Sequence, residues 1–345
     1  MSDKKPGEYM YRELREGPSK VLETLREARR DAEEAARIIG GSPHSKAYII
    51  GSGTSFHASL YLAYLLNRYT AVHAIPVPAS EFEDWIPLGW RDYVIVGYSQ
   101  SGESSDIVAA FTEASKAGVA TVAITNTPGS TLTKISSASI VTRAGEEKAV
   151  AATKTFDVQL AAALMLASLL SGKEFRIEDA AREAEGVIGR EEEVEALAER
   201  YKCSSHAFTL GKAAAYPVAL EAALKMKEAS MVHAEGFAAR EFLHGPVQLV
   251  DGSTPVFFFA PSREGFEASV KALEKVSGYG APIVAVGPRH GAFQEKASAY
   301  IEVGLEGEAA VIPLVKAAQL YAYHLAVLKG LDPDRPSKLT KVVKY

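Results

Sequence analysis

Residues 46–50 form a short apolar run that breaks into Gly51-Ser52-Gly53-Thr54-Ser55, and a helical pattern follows at once over 56–67. A strand, a glycine-bearing turn and a helix are the opening of a βαβ unit, which commits a chain to a parallel sheet covered by helices. The pattern recurs. Residues 71–77 and 93–97 read as strands, 104–117 as a helix, 119–125 as a strand closed by Asn126-Thr127-Pro128-Gly129, and 139–142 as a short strand. Residues 158–170 read as an apolar helix and 178–201 as one charged amphipathic helix. A second cycle opens with a strand at 207–210, then Gly211 and a helix over 217–231. It continues through strands at 254–260, 282–286 and 299–303, with helices at 264–276 and 310–328. Ile50-Gly51-Ser52-Gly53 and Leu210-Gly211-Lys212 hold matching places in the two cycles. The chain therefore reads as two related, doubly wound, flavodoxin-like α/β domains. The expected limits are 1–197 for a helical lead-in and the first domain, 198–330 for the second domain, and 331–345 for a tail.

A length of 345 residues with 47% apolar and 23% charged residues suits two globular domains. A net charge of −5 argues against a nucleic-acid binder, which needs a basic face. It does not argue against an anionic small molecule, because backbone N–H groups and hydroxyls can hold one. The single cysteine, Cys203, cannot form an internal disulfide or a cysteine-based metal cluster. No stretch reads as apolar enough to span a bilayer, and residues 1–6 are polar, so a cytoplasmic enzyme is expected, with no membrane partner.

Ser99-Gln100-Ser101-Gly102-Glu103-Ser104 follows a strand and opens a helix. In open α/β sheets, ligands bind beyond the carboxyl ends of strands. A helix N-terminus there offers unpaired N–H groups and a positive dipole end, and serine hydroxyls add donors. Taken alone, these serines read better as N-caps and turn formers. Thr54 and Ser55 lie in a second turn of the same kind, and two such turns favour one phosphate site over coincidence.

S-Q-S-G-E-[ST] after a strand, with an earlier G-T-S, resembles the sugar isomerase (SIS) domain. Glu221-Ala222-Ala223-Leu224-Lys225-Met226-Lys227-Glu228, His233-Ala234-Glu235-Gly236-Phe237, Glu241-Phe242-Leu243-His244-Gly245-Pro246 and the tail Arg335 to Lys341 resemble the isomerase half of glucosamine-6-phosphate synthases and the stand-alone deaminases of SIS type. The resemblance covers nearly the whole chain. It implies that Thr54, Ser55, Ser99, Gln100, Ser101 and Ser104 bind phosphate, and that Val150, Ala152 and Thr340 line the sugar. It implies that Glu228 moves a proton between C1 and C2 with Lys225 beside it. His244 would assist ring opening from the neighbouring subunit, and Lys341 would form a Schiff base. A homodimer follows, with neither metal nor cofactor. The family's V-A-S-T-K reads Val150-Ala151-Ala152-Thr153-Lys154 here, so one hydroxyl near the sugar is missing.

Elementary chemistry agrees with these roles without requiring them. A C1–C2 proton shift needs one base poised beside both carbons. Glu228 shares a helix face with Lys225, although that face also reads as a solvated salt-bridged one. His244 before Gly-Pro also reads as a structural histidine, and Lys341 as a plain tail lysine. The synthases it resembles hydrolyse glutamine with a separate domain that opens on a cysteine; residue 2 is Ser2 here and the single cysteine is Cys203, so glutamine hydrolysis is not expected of this polypeptide. The expected activity is glucosamine-6-phosphate deamination. Open alternatives are another amino sugar phosphate deaminase, a deglycase or isomerase, an ammonia-using synthase half with or without a glutaminase subunit, and a non-catalytic phosphosugar sensor.

Overall fold

The computed structural model describes residues 5–41, 46–86 and 89–341, so the polar start (1–4) and the last part of the tail (342–345) lie outside the described residues. The chain divides into two compact units. One holds Ser19–Glu147 and Lys154–Phe175. The other holds the described residues up to Pro18, Lys148–Thr153 and Arg176–Lys341.

The helical lead-in is two helices, α1 (Glu8–Glu27) and α2 (Arg29–Gly40). The first unit then alternates β1 (Lys46–Gly51), α3 (Thr54–Tyr69), β2 (His73–Pro78), α4 (Phe82–Trp85), β3 (Val94–Tyr98), α5 (Ser105–Lys116), β4 (Thr121–Thr125), α6 (Thr131–Ile135), β5 (Ala138–Val141) and α7 (Lys154–Ser171). Its five strands are parallel, in the order β2-β1-β3-β4-β5. β3 and β4 are buried at every residue, as central strands covered on both faces must be, whereas edge strand β5 alternates. Ile50, Ile95 and Ala123 of the sheet pack with Ile107, Phe111 and Leu132 of α5 and α6. α7 starts earlier than its apolar pattern suggests. The Glu147 carboxylate accepts the Thr155 N–H (3.1 Å) and Oγ1–H (2.7 Å), which caps the helix from outside it.

The second unit contains α8 (Ile177–Gly189), α9 (Glu191–Tyr201), β6 (His206–Gly211), α10 (Ala215–Ser230), β7 (His233–Ala238), β8 (Val256–Phe259), α11 (Arg263–Glu267), α12 (Val270–Gly278), β9 (Ile283–Gly287), α13 (Gly291–Lys296), β10 (Ala299–Glu302) and α14 (Val311–Leu328). The parallel order β10-β9-β8-β6-β7 is the first sheet's order read from the other edge. Phe208, Phe258, Phe266 and Phe293 dominate its core.

Three expectations are corrected. The charged helix expected over 178–201 is two helices, α8 and α9, parted at Arg190. That residue leaves helical geometry and its guanidinium donates to the Glu302 carbonyl (2.7 Å). The helix expected over 264–276 likewise splits into α11 and α12. Two helices, Lys154–Ser171 and Glu308–Leu328, are long and apolar enough to cross a membrane; 78% and 83% of these windows is buried inside the fold, as in core helices.

Candidate active site

The first sheet's order places its topological switch between β1 and β3, and both serine-rich turns leave the carboxyl ends of these adjacent strands. After β1 the chain turns sharply into α3. A Cβ on Gly51 would lie 2.5 Å from the Ser55 carbonyl oxygen, so only glycine permits that approach. Ser55 Oγ accepts a hydrogen bond from Gln159 Nε2 of α7 (3.0 Å). After β3, the Gly102 N–H donates to Ser99 Oγ (3.1 Å) and the Glu103 N–H to Ser101 Oγ (3.2 Å), while the Ser99 and Ser104 hydroxyls lie 2.9 Å apart. The first-turn N–H groups of α5, which follows this turn directly, have no intrahelical partners.

The neighbouring loop after β4 fixes this turn. The Gln100 carbonyl accepts the Asn126 N–H (3.1 Å), Thr125 Oγ1–H (3.2 Å) and Thr127 Oγ1–H (3.3 Å). The Glu103 carboxylate takes the Thr131 N–H (2.8 Å) and Oγ1–H (2.7 Å), and the Leu132 N–H donates to the Gly102 carbonyl (3.1 Å). Gly102 has φ +67° against the buried Ser130 side chain. Thr125 and Ser130 carry no signal in the sequence reading, and Glu103 enters it only as part of the turn, although Asn126-Thr127-Pro128-Gly129 marks the supporting loop.

The second unit carries Glu228, Lys225, Val150, Ala152, Thr340, Lys341 and His244. On α10, Lys225 is fully buried. Its ammonium pairs with Glu221 (3.2 Å), also buried, and with Glu228, whose side chain is 22% exposed. This helix face is therefore not solvated. Burial pulls the Lys225 pKa down, but the charges of Glu221 and Glu228 and their hydrogen bonds outweigh it and hold the ammonium above its ordinary value. Glu228 lines a cavity of about 620 Å³ whose wall includes Leu224, Met231, Leu331 and Leu339.

Lys341 Nζ donates to the Ala149 carbonyl (2.7 Å), which brings the tail to the segment bearing Val150 and Ala152. That segment is pinned from three sides. Glu13 accepts the Lys148 and Ala149 N–H groups, the Val150 N–H donates to the Asp334 carbonyl (3.3 Å), and Gln319 Nε2 donates to the Thr153 carbonyl (3.2 Å). His244 is exposed at the end of a short 3₁₀ turn, Glu241–His244, and no hydrogen bond or ion pair reaches its ring from the described residues. Nothing in one chain joins it to Glu228 among the described residues. In the second sheet's turn after β8, the Arg263 N–H donates to the exposed Glu306 carboxylate (3.0 Å).

The SIS domain model matches residues 42–169 and 200–328. The chain belongs to the SIS domain family. It is 34% identical over 351 residues to the glutamine–fructose-6-phosphate aminotransferase (isomerizing) of Pyrococcus horikoshii, covering 97% of this chain and 57% of that relative. The chain thus spans a little over half the length of the curated relatives it matches. Among solved structures, the C-terminal domain of glucosamine-fructose-6-phosphate aminotransferase from Francisella tularensis superposes with a TM-score of 0.82 at 26% identity, covering 94% of this chain and 98% of that one. Glucosamine-6-phosphate deaminase from Thermotoga maritima superposes with a TM-score of 0.75 at 23% identity, covering 94% of this chain and 98% of that one, a likeness of fold.

Proposed function

We propose that the chain is a glucosamine-6-phosphate deaminase, turning glucosamine 6-phosphate and water into fructose 6-phosphate and ammonia. The observation that supports the proton transfer in this reading is the Glu221–Lys225–Glu228 arrangement. A carboxylate that reaches solvent is held by an ammonium that does not, and a second buried carboxylate balances the charge. Such a carboxylate is fixed in place and open to substrate, as a general base must be.

In this reading Thr54, Ser55 and the turn Ser99 to Ser104 hold the phosphate, and Val150, Ala152 and Thr340 line the sugar. The partner subunit's His244 helps open the ring. Glu228 removes the C2 proton of the open aldehyde, leaving an enolamine. Return of the proton at C1 gives an imine at C2. Water adds there and ammonia leaves, directly or after exchange onto the Lys341 amine, which must first lose its proton. The exposure of His244 supports a homodimer with shared sites, and the reading places the reaction in the cytoplasm.

A second reading keeps the proton transfer and reverses the flow of nitrogen, as the isomerase half of an aminotransferase. The 34% identity to proteins of that name favours it. An assay of ammonia release from glucosamine 6-phosphate, run beside amination of fructose 6-phosphate by ammonia or by glutamine, decides between them. Glu228→Gln should abolish either activity. Unchanged turnover in that variant would remove Glu228 as the base.

A further inference from the structure

Three of the cradle hydroxyls accept a hydrogen bond from an N–H group. The Gly102 N–H, the Glu103 N–H and Gln159 Nε2 each donate to a serine oxygen, on Ser99, Ser101 and Ser55 respectively. A hydroxyl whose oxygen already accepts a bond has its proton left to give. An unprotonated phosphate oxygen only accepts, so such a bond leaves Ser101 and Ser55 a proton for it, whereas one of the Ser99 and Ser104 hydroxyls gives its proton to the other. For Ser99 and Ser101 the donor is the turn's own backbone. For Ser55 it is a side chain 104 residues along the chain.

Gln159 is 4% exposed, and its Oε1 is buried with no hydrogen-bond partner among the described residues. A buried acceptor without a donor costs stability, and an apolar residue of that size would avoid the cost. The amide orientation follows from the same reasoning. Reversed, Ser55 would spend its proton on Oε1, and an NH2 group with two unmatched donors would be buried, which is worse than one unmatched carbonyl. We propose that Gln159 is a positioning residue of the phosphate cradle, which fixes Ser55 as a proton donor toward the substrate's phosphate. This rests on the phosphosugar reading above.

The test uses the full chain, with inorganic phosphate titrated calorimetrically and glucosamine 6-phosphate kinetics alongside. Gln159→Met should weaken phosphate binding roughly tenfold and raise KM with kcat nearly unchanged, as loss of one hydrogen bond to a charged group implies. In a Ser55→Ala background the same change should add nothing, because the residue it acts through is gone. Gln159→Glu separates positioning from packing. Ionised, its carboxylate accepts the Ser55 proton and turns the hydroxyl away. Protonated, it donates again. Its binding loss relative to the parent protein should therefore be largest near pH 8 and shrink toward about pH 5.5. Parent-like phosphate binding in either variant, an equal loss with and without Ser55, or a pH-independent loss in Gln159→Glu would overturn the proposal. Absence of phosphate and phosphosugar binding by the parent protein would instead overturn the phosphosugar reading, and this proposal with it.

Discussion

Replacing Gly102 by alanine puts a methyl group where the turn has no room. The residue's φ is +67°, and a Cβ there would lie 2.2 Å from Ser130 Oγ, 2.5 Å from Ser130 Cβ and 3.0 Å from Thr125 Oγ1. The left-handed backbone costs a residue with a Cβ about 1–2 kcal/mol. Forcing a methyl into a filled site typically costs ~1–3 kcal/mol more. The turn can relieve about 2–5 kcal/mol only by moving, and moving it misaligns Ser99, Ser101 and Ser104. Even the lower figure corresponds to roughly 30-fold in phosphate affinity if it all falls on binding. Calorimetric titration with inorganic phosphate and with glucosamine 6-phosphate measures this loss, and urea unfolding measures the share that falls on stability. Ser130→Gly removes both atoms that the new methyl meets most closely. The hydroxyl it removes is buried and has no partner among the described residues, so little is lost with it. Gly102→Ala/Ser130→Gly should therefore recover about half of the defect and leave the backbone term. Binding by Gly102→Ala within twofold of the parent protein, or no recovery in the double variant, would refute the reasoning.

Lys225→Met leaves the Glu221 carboxylate in the core without its ammonium and should cost about 3–5 kcal/mol in urea unfolding. Lys225→Met/Glu221→Leu should regain most of that stability while activity stays lost, because Glu228 still lacks its cation. Burial pushes the His324 pKa down, against the opposing charges of Glu195 and Glu191. The neutral ring is therefore favoured in the folded chain. Its contribution is full above the unfolded value near 6.5 and is lost as pH falls through the lowered folded value. The melting temperature should drop from about pH 7 to about pH 5, and His324→Leu should flatten that drop. Lys341→Met should leave phosphate binding intact while abolishing trapping of substrate by borohydride, and trapping that persists would move the Schiff base elsewhere.

The sequence was most legible where local pattern and burial agree. β3 and β4 are continuous apolar runs because both faces are covered, and the turns after β1 and β3 carry their glycines and serines openly. β7 escaped because His233-Ala234-Glu235-Gly236-Phe237 forms an edge strand, half-exposed along most of its length, so its residues need not be apolar. The break between α8 and α9 answers to a carbonyl 112 residues away, which no window on the helix contains. The α10 charges misled in the opposite sense. Glu221, Lys225 and Glu228 at helical spacing look like a solvated face, and only the packing around them reveals that two of the three are buried. The latch from Glu103 to Thr131 and the clamp from Glu13 to residues 148 and 149 were hidden for the same reason. A carboxylate's distant backbone partner leaves no trace in its own neighbourhood.

The two sheets share one strand order, so each half presents a turn at the same place after its third strand. In one half that turn carries Ser99, Ser101 and Ser104. In the other half the matching turn lacks those serines, and its Arg263 N–H is already taken by the Glu306 carboxylate. The asymmetry has an accounting consequence: a saturating titration with inorganic phosphate should end at one equivalent per chain, not two.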